Sequence, residues 1–360
     1  MYEIKNIKLA RDSRGISQKE LAEKTQLSPA TISKIESGAI DVSEKQIRTI
    51  ATALGYPVSF FSKVIRPINE DTLCYRKRKT MATKDITLLE SKLAILSSCI
   101  DDLQESIELP NLTLPHIEPT QDYQPDEIAF RIRQFLKISK GAIDNLINIL
   151  ELNGIIVVPI DINGSEKFDG LSILTSRMNT PVIWLNDNMP NDRKRFTLAH
   201  ELGHIIMHLR SQSLEKSEKE KDEEADLFAA EFLLPRTQCE NELWNLRYKD
   251  LALKKAYWKV SKAFLIQRAA QLKCITEQTK TYLFVTLGRN NERKNEKGWV
   301  SIDQPQSLRK MTDLHLNELG YSMEELSEWL GISTTDITKD LQQRGIKKQR
   351  IILLDKFEYL

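Results

Sequence analysis

Apolar residues fall at helical spacing from the start of the chain. Ile4, Ile7 and Ala10 form one stripe. Leu21 and Ala22, then Ile32 and Ile35, then Ile47, Ile50, Ala51 and Leu54 form three more. This is the pattern of amphipathic helices that each bury one face. Ser17-Gln18-Lys19-Glu20 and Ser43-Glu44-Lys45-Gln46 are capping boxes: the hydroxyl accepts a backbone N–H, and the Glu or Gln reaches back. Ser28-Pro29 is a cap followed by proline at the first helical position, while Gly15, Gly38 and Gly55-Tyr56-Pro57 are breaks. Residues 1–66 are therefore predicted to be a bundle of short helices. The second and third are joined by a turn around Gln26-Leu27-Ser28, the layout of a helix-turn-helix whose second helix enters the major groove.

The pattern changes along the chain. Ile86, Leu89, Leu93, Leu96, Ile100, Leu103 and Ile107 run close to a heptad, fitting either a dimerising or spacer helix or one packed on its own chain. Pro110, Pro115, Pro119 and Pro125 then mark an extended linker, so residues 67–125 read as a connector. From Asp126 the reading is α+β. Helices are expected around Ile128–Leu136 and Ile143–Leu150, and strands at Gly154–Ile160, Leu171–Leu174 and Pro181–Asn186. If Pro181–Asn186 is an edge strand, an extended substrate could add to it; if internal, it could not. Two further helices follow, Arg195–His208 and Asp222–Leu234, the second burying Ala225, Phe228, Ala229 and Phe232.

Residues 126–240 are read as one domain and 241–360 as a helical and mixed C-terminal region. Within the latter, 241–290 holds helical and strand-like stretches, with Lys259–Ala269 helical and capped by Ser261; Asn290–Gly298 is polar and expected to be a mobile loop. Ser322–Glu328 and Ile332–Ile337 repeat the spacing of Ser17–Glu23 and Leu27–Ile32, predicting a second bihelical unit near 322–341. Its Asp336 and Asp340 would face phosphates badly, which favours packing or protein contact over DNA.

Composition narrows the function classes. A chain of 360 residues implies two to four domains, and 41% apolar with 29% charged residues argues against dominant disorder. Lys+Arg (52) and Asp+Glu (51) nearly cancel, which excludes a uniformly basic nucleic-acid binder. Residues 1–66 alone carry +4, and the basic run Arg76–Lys79 lies just beyond, placed to touch DNA backbone or a partner. The longest aliphatic run, Gly154–Ile160, is far short of a membrane span, and the N-terminus lacks the apolar region of a signal peptide. Four scattered cysteines fit a reducing cytoplasm, so the expected protein is cytoplasmic with no membrane partner.

On the helix opened by Ser28, the outward residues would be Ala30, Thr31, Ser33 and Lys34, small or polar side chains suited to base edges and phosphates; Gln18 could reach a phosphate or a base. Ile16–Ala22 and Leu27–Gly38 resemble the phage-repressor-like XRE family of helix-turn-helix proteins. The resemblance implies sequence-specific binding of a double-stranded DNA operator, as a homodimer on a palindromic site.

Histidine is scarce, yet three of the five fall at 200, 204 and 208. His200-Glu201-Leu202-Gly203-His204 places two imidazoles one turn apart on one helix face, where both can meet one Zn²⁺. Glu201 projects beside that metal and can accept a proton from the attacking water. His208, one turn further on, is expected to be packed or solvent-facing rather than to touch substrate or support a ligand. A third ligand should come from the next helix, where Asp222 and Asp226 are i,i+4 partners: one could ligate while the other holds a histidine N–H.

Arg195–His204 with Ala225-Asp226 and Phe228–Pro235, together with Asp169-Gly170, Val182–Asn186 and Arg193, resemble the ImmA/IrrE family of metallo-endopeptidases. That resemblance implies a gluzincin-like domain with zinc on His200, His204 and a carboxylate three residues before Ala225. The carboxylate is usually Glu in the family; here it is Asp222, with Glu223 the alternative. The expected fold is thus multidomain and mainly α, an all-α repressor-like helix-turn-helix followed by an α+β gluzincin-like domain. The expected function is a DNA-binding regulator with a zinc endopeptidase that cuts a repressor, another regulatory protein or itself, in a stress or mobile-element response. The alternative is a non-proteolytic regulator whose zinc domain senses a ligand or partner.

Overall fold

The computed structural model describes residues 2–67, 82–107, 110, 112–161, 168–210, 216–293 and 295–342. The basic run Arg76–Lys79 lies outside the described residues. The chain forms two compact units. One joins Met1–Val64 to the segment that begins at Leu308; the other is Ile65–Ser307. No helix among the described residues is long and apolar enough to cross a membrane.

The first unit opens with α1 (Lys5–Ser13), α2 (Gln18–Thr25), α3 (Pro29–Glu36), α4 (Glu44–Leu54) and a 3₁₀ turn, Val58–Ser62. Ser17 and Ser43 form both capping boxes. Their apolar stripes meet in one core: Ile7, Leu21, Ile32, Ile35, Ile47, Ile50, Phe60 and Phe61 are fully buried. Gln26, in the left-handed region, ends α2 and turns the chain into α3.

The second unit holds α5 (Thr83–Gln104), α6 (Pro125–Phe135), α7 (Leu146–Leu152), β1 (Ile156–Ile160), β2 (Gly170–Leu174), β3 (Pro181–Asn186), α8 (Asn191–Met207) and α9 (Glu218–Leu233). After these come α10 (Arg236–Leu243), α11 (Leu251–Trp258), α12 (Lys262–Gln271) and α13 (Glu277–Arg289). The heptad-spaced α5 packs on its own chain. Its buried Asp101 accepts the backbone N–H groups of Arg177 at 3.0 Å and Met178 at 3.1 Å, which clamps the β2–β3 turn. The proline-marked stretch is extended but seated, with Ile117 N bonded to Ile206 O and Leu114 buried.

The sheet order is β1-β3-β2, with β1 parallel and β2 antiparallel to β3. Pro181–Asn186 is therefore the central strand and β2 the edge beside α8. A strand buried on both faces reads as a continuous apolar run wherever it stands in the sheet. Between 241 and 290 the described residues form helices and no strand; a short apolar run does not by itself distinguish a strand from a buried helix face. The expected mobile loop is also tied down: Glu292 and Glu296 pair with the buried ammonium groups of Lys262 and Lys255, and Glu296 accepts the first N–H groups of α12.

The chain then returns to the first unit through α14 (Ser307–Asn317), α15 (Met323–Leu330) and a short turn of helix, α16 (Thr334–Asp336), that runs into a π turn. Ser322 forms a capping box and Ser333 caps α16, as the repeated spacing predicts. This segment closes on the 3₁₀ turn. Lys63 Nζ donates to Trp329 O at 2.7 Å, and Gly331, at φ +74°, lies so near Phe60 that a Cβ there would be 3.2 Å from its Cα.

Candidate metal centre and nucleic-acid interface

Almost every residue of α8 is buried. A helix enclosed all round must satisfy its polar side chains inside the protein. Lys194 donates to Asp187 at 2.6 Å, and Asn191 to Val300 O at 2.8 Å. Arg195 donates to the carbonyls of Lys259 and Ile143, and burial lowers its guanidinium to about 10. Two glycines let neighbours close on the helix. A Cβ on Gly170 would meet Thr197 Cγ2 at 2.6 Å and Trp184 O at 2.9 Å, so β2 lies directly against α8. A Cβ on Gly203 would meet the Phe228 ring at 3.1 Å, so α9 lies against the other side. Arg193 grips Asp169, just before β2, with both carboxylate oxygens within 2.8 Å.

This packing brings His200, His204 and Asp222 together. The two Nε2 atoms lie 3.1 Å apart, and Asp222 Oδ1 lies 3.3 Å from His204 Nε2 and 3.8 Å from His200 Nε2. Glu223, the alternative ligand, is exposed and pairs with Lys219 at 3.5 Å. Asp226 accepts from His200 Nδ1 at 2.6 Å. That bond places the His200 proton on Nδ1 and leaves Nε2 an acceptor, facing a second imidazole nitrogen and a carboxylate oxygen.

These donors fit a zinc ion by chemistry and by spacing. Nitrogen or oxygen ligands about 2.0–2.1 Å from a tetrahedral zinc are about 3.3–3.4 Å from each other. The three observed edges bracket that value. Glu201, only 1% exposed, has its Oε2 held by the Ser172 hydroxyl at 2.8 Å. Ser172 escaped the sequence reading because only the path of β2 across α8 brings it there. The His208 side chain is packed, 7% exposed: its Nδ1 meets His204 Nδ1 at 3.0 Å and its Nε2 meets Glu224 at 2.9 Å. Burial holds its pKa below the ordinary histidine range, outweighing the pull of Glu224.

In the first unit, α3 buries Ile32 and Ile35 and exposes Ala30, Ser33 and Lys34. The Ser28 hydroxyl accepts the Thr31 N–H at 3.0 Å and shares a hydrogen bond with the Thr31 hydroxyl at 2.8 Å, so these two residues shape the helix start. Gln18 is half-buried, and its amino group donates to Glu36 at 2.8 Å. Glu36 in turn takes Arg11 on both oxygens. Gln18 is thus anchored to α3 through its amino end, a contact the spacing did not reveal.

Two stretches match family models: residues 7–61 a helix-turn-helix, and residues 154–270 an IrrE N-terminal-like domain. No curated protein and no solved structure matches the chain.

Proposed function

Since the chain joins an XRE-type helix-turn-helix to an IrrE/ImmA-like metallopeptidase domain, we propose that it is a DNA-bound zinc endopeptidase of the cytoplasm. It cuts a repressor, another regulatory protein or itself in a stress or mobile-element response. The observation that carries this reading is the convergence of His200, His204 and Asp222 beside the buried carboxylate of Glu201. Zinc held there would polarise the scissile carbonyl and acidify a water. Glu201 takes the proton from the attacking water and returns it to the leaving amine. Ser172 fixes one carboxylate oxygen and so sets which oxygen faces the substrate. The edge position of β2 beside this carboxylate supports a peptide as substrate, because an extended chain can lie along an edge strand. On the DNA side, Ala30 and Ser33 approach base edges, Lys34 meets a phosphate, and Ser28, Thr31 and Gln18 set the pose of α3; two copies would read a palindromic operator.

The test uses the full chain loaded with one zinc and incubated with candidate repressors. Glu201→Gln retains the metal and stops cleavage; cleavage that survives this change overturns the role of Glu201. A promoter reporter separates the reading from a regulator whose zinc domain only senses a ligand. There Glu201→Gln leaves the response intact, while Ser33→Ala with Lys34→Ala abolishes repression.

A further inference from the structure

We propose that His208, Glu224 and Lys216 form a hydrogen-bonded chain that fixes the ring of His204 and thereby sets the metal affinity of the site. The inference rests on the metal reading above. His200 and His204 on α8 and His208 at its C-cap stand in a row, their ring centroids 4.8 and 5.0 Å apart. His208 nonetheless does not join the three converging ligand atoms. One of its nitrogens faces His204 Nδ1, and the other faces Glu224 Oε2. Lys216 Nζ holds the other oxygen of Glu224 at 2.5 Å, and also reaches Pro119 O at 3.4 Å.

The polarity of this chain follows from its far end. Lys216 donates to Glu224, and a carboxylate can only accept. The facing nitrogen of His208, Nε2, is therefore the donor, and its Nδ1 is left as the acceptor. His204 Nδ1 must then donate, so the His204 proton lies away from Asp222 and His200, and Nε2 presents its lone pair to the site. The reverse polarity would put a proton on His204 Nε2, where a metal would have to bind. A ligand histidine commonly gives its second N–H to a carboxylate, a carbonyl or water. Here an imidazole stands between ligand and carboxylate, which carries the support one residue deeper. The two ligands differ in how they are held: Asp226 behind His200 is 59% exposed, whereas His208 is 7% and Glu224 19% exposed. The better-buried support serves the ring that lies nearer Asp222, the short carboxylate. His208 is a positioning residue in this scheme and touches neither substrate nor metal.

The experiment measures zinc affinity, not cleavage. Metal-free full-length chain is titrated with zinc against a chromophoric chelator. His208→Phe keeps a buried ring but cannot accept from His204, and Glu224→Gln keeps shape but removes the charge. Each is expected to weaken zinc by about 10–100-fold, the range for outer partners of a ligand, with melting of the metal-free chain little changed. A role in packing alone predicts the opposite for His208→Phe, namely unaltered affinity. If His208→Phe loses its melting transition, the isosteric Glu224→Gln decides. Wild type that binds one zinc, with variants binding it within about twofold, overturns the chain and leaves the metal site standing. Wild type that binds no zinc overturns both.

Discussion

Lys34 is the only basic residue on α3, and it stands on the exposed face beside Ala30 and Ser33. On the proposed reading this charge meets a phosphate and carries no base information, so it would add affinity to every sequence alike. Lys34→Ala is expected to weaken operator and non-operator DNA by similar factors. It should also reduce the slope of log K against log salt by about 0.9. Titrations at several salt concentrations measure this, and an unchanged slope would place Lys34 off the phosphate backbone. At this scale the sequence was readable wherever a side chain's placement depends on local spacing. His200, Glu201 and His204 declare themselves because one turn of helix is enough to relate them. Ser172 and Glu224 do not, because each reaches its partner only after β2 and α9 have closed on α8.

Elements show the same division between local and tertiary information. The caps of α2, α3, α4, α12 and α15 were legible because a hydroxyl and an N–H a few residues away suffice to form them. The order of the sheet was not, since β2 and β3 are both apolar and the edge position of β2 is decided by what packs on it. Glu292 and Glu296, polar residues in a polar stretch, gave no sign that buried lysines would hold them. The approach of β2 to α8 yields a prediction. In Gly170→Ala the new methyl would lie 2.6 Å from Thr197 Cγ2 and 2.9 Å from the backbone oxygen of Trp184. Carbonyl and methyl cannot both yield without moving β2, at a cost of about 1–3 kcal/mol. The displaced strand carries Ser172 away from Glu201. Gly170→Ala should therefore lower the melting temperature and slow cleavage, while zinc affinity, which depends on α8 and α9, stays near wild type. Equal losses in metal binding and cleavage would show that β2 supports the ligands as well.

At the scale of the whole chain, the helix-turn-helix is not a self-contained N-terminal module. The chain leaves that unit after Val64 and returns to it at Leu308. Beside the Lys63–Trp329 contact, Arg14 joins the two segments. Its guanidinium donates to Leu54 O and Gly55 O at the end of α4, lies 4.3 Å over the Tyr56 ring, and takes both oxygens of Asp336. Asp336 is the residue whose charge argued against DNA contact in the sequence, and here it is spent on packing. Burial alone would raise the Asp336 pKa, but the hydrogen bond and charge of Arg14, with the Ser333 cap, hold it below the ordinary aspartate value. A carboxyl lowered in this way stabilises the folded state fully above its unfolded pKa of about 3.9, and the contribution disappears as pH falls through the folded value. Asp336→Asn should thus cost about 1–2 kcal/mol between pH 5 and pH 8, at the lower end for charged hydrogen bonds because the pair is partly solvated. The gap to wild type should narrow below about pH 4. Arg14→Ala should cost more, since it also strips the two carbonyls of α4 and the Tyr56 ring of their partner. Thermal unfolding across pH measures both effects. Operator binding by Asp336→Asn near its melting temperature should fall in step with the folded fraction, because α3 and the returning segment belong to one compact unit. If Asp336→Asn melted at the wild-type temperature at pH 7, the C-terminal segment would not stabilise the DNA-binding helices through this pair.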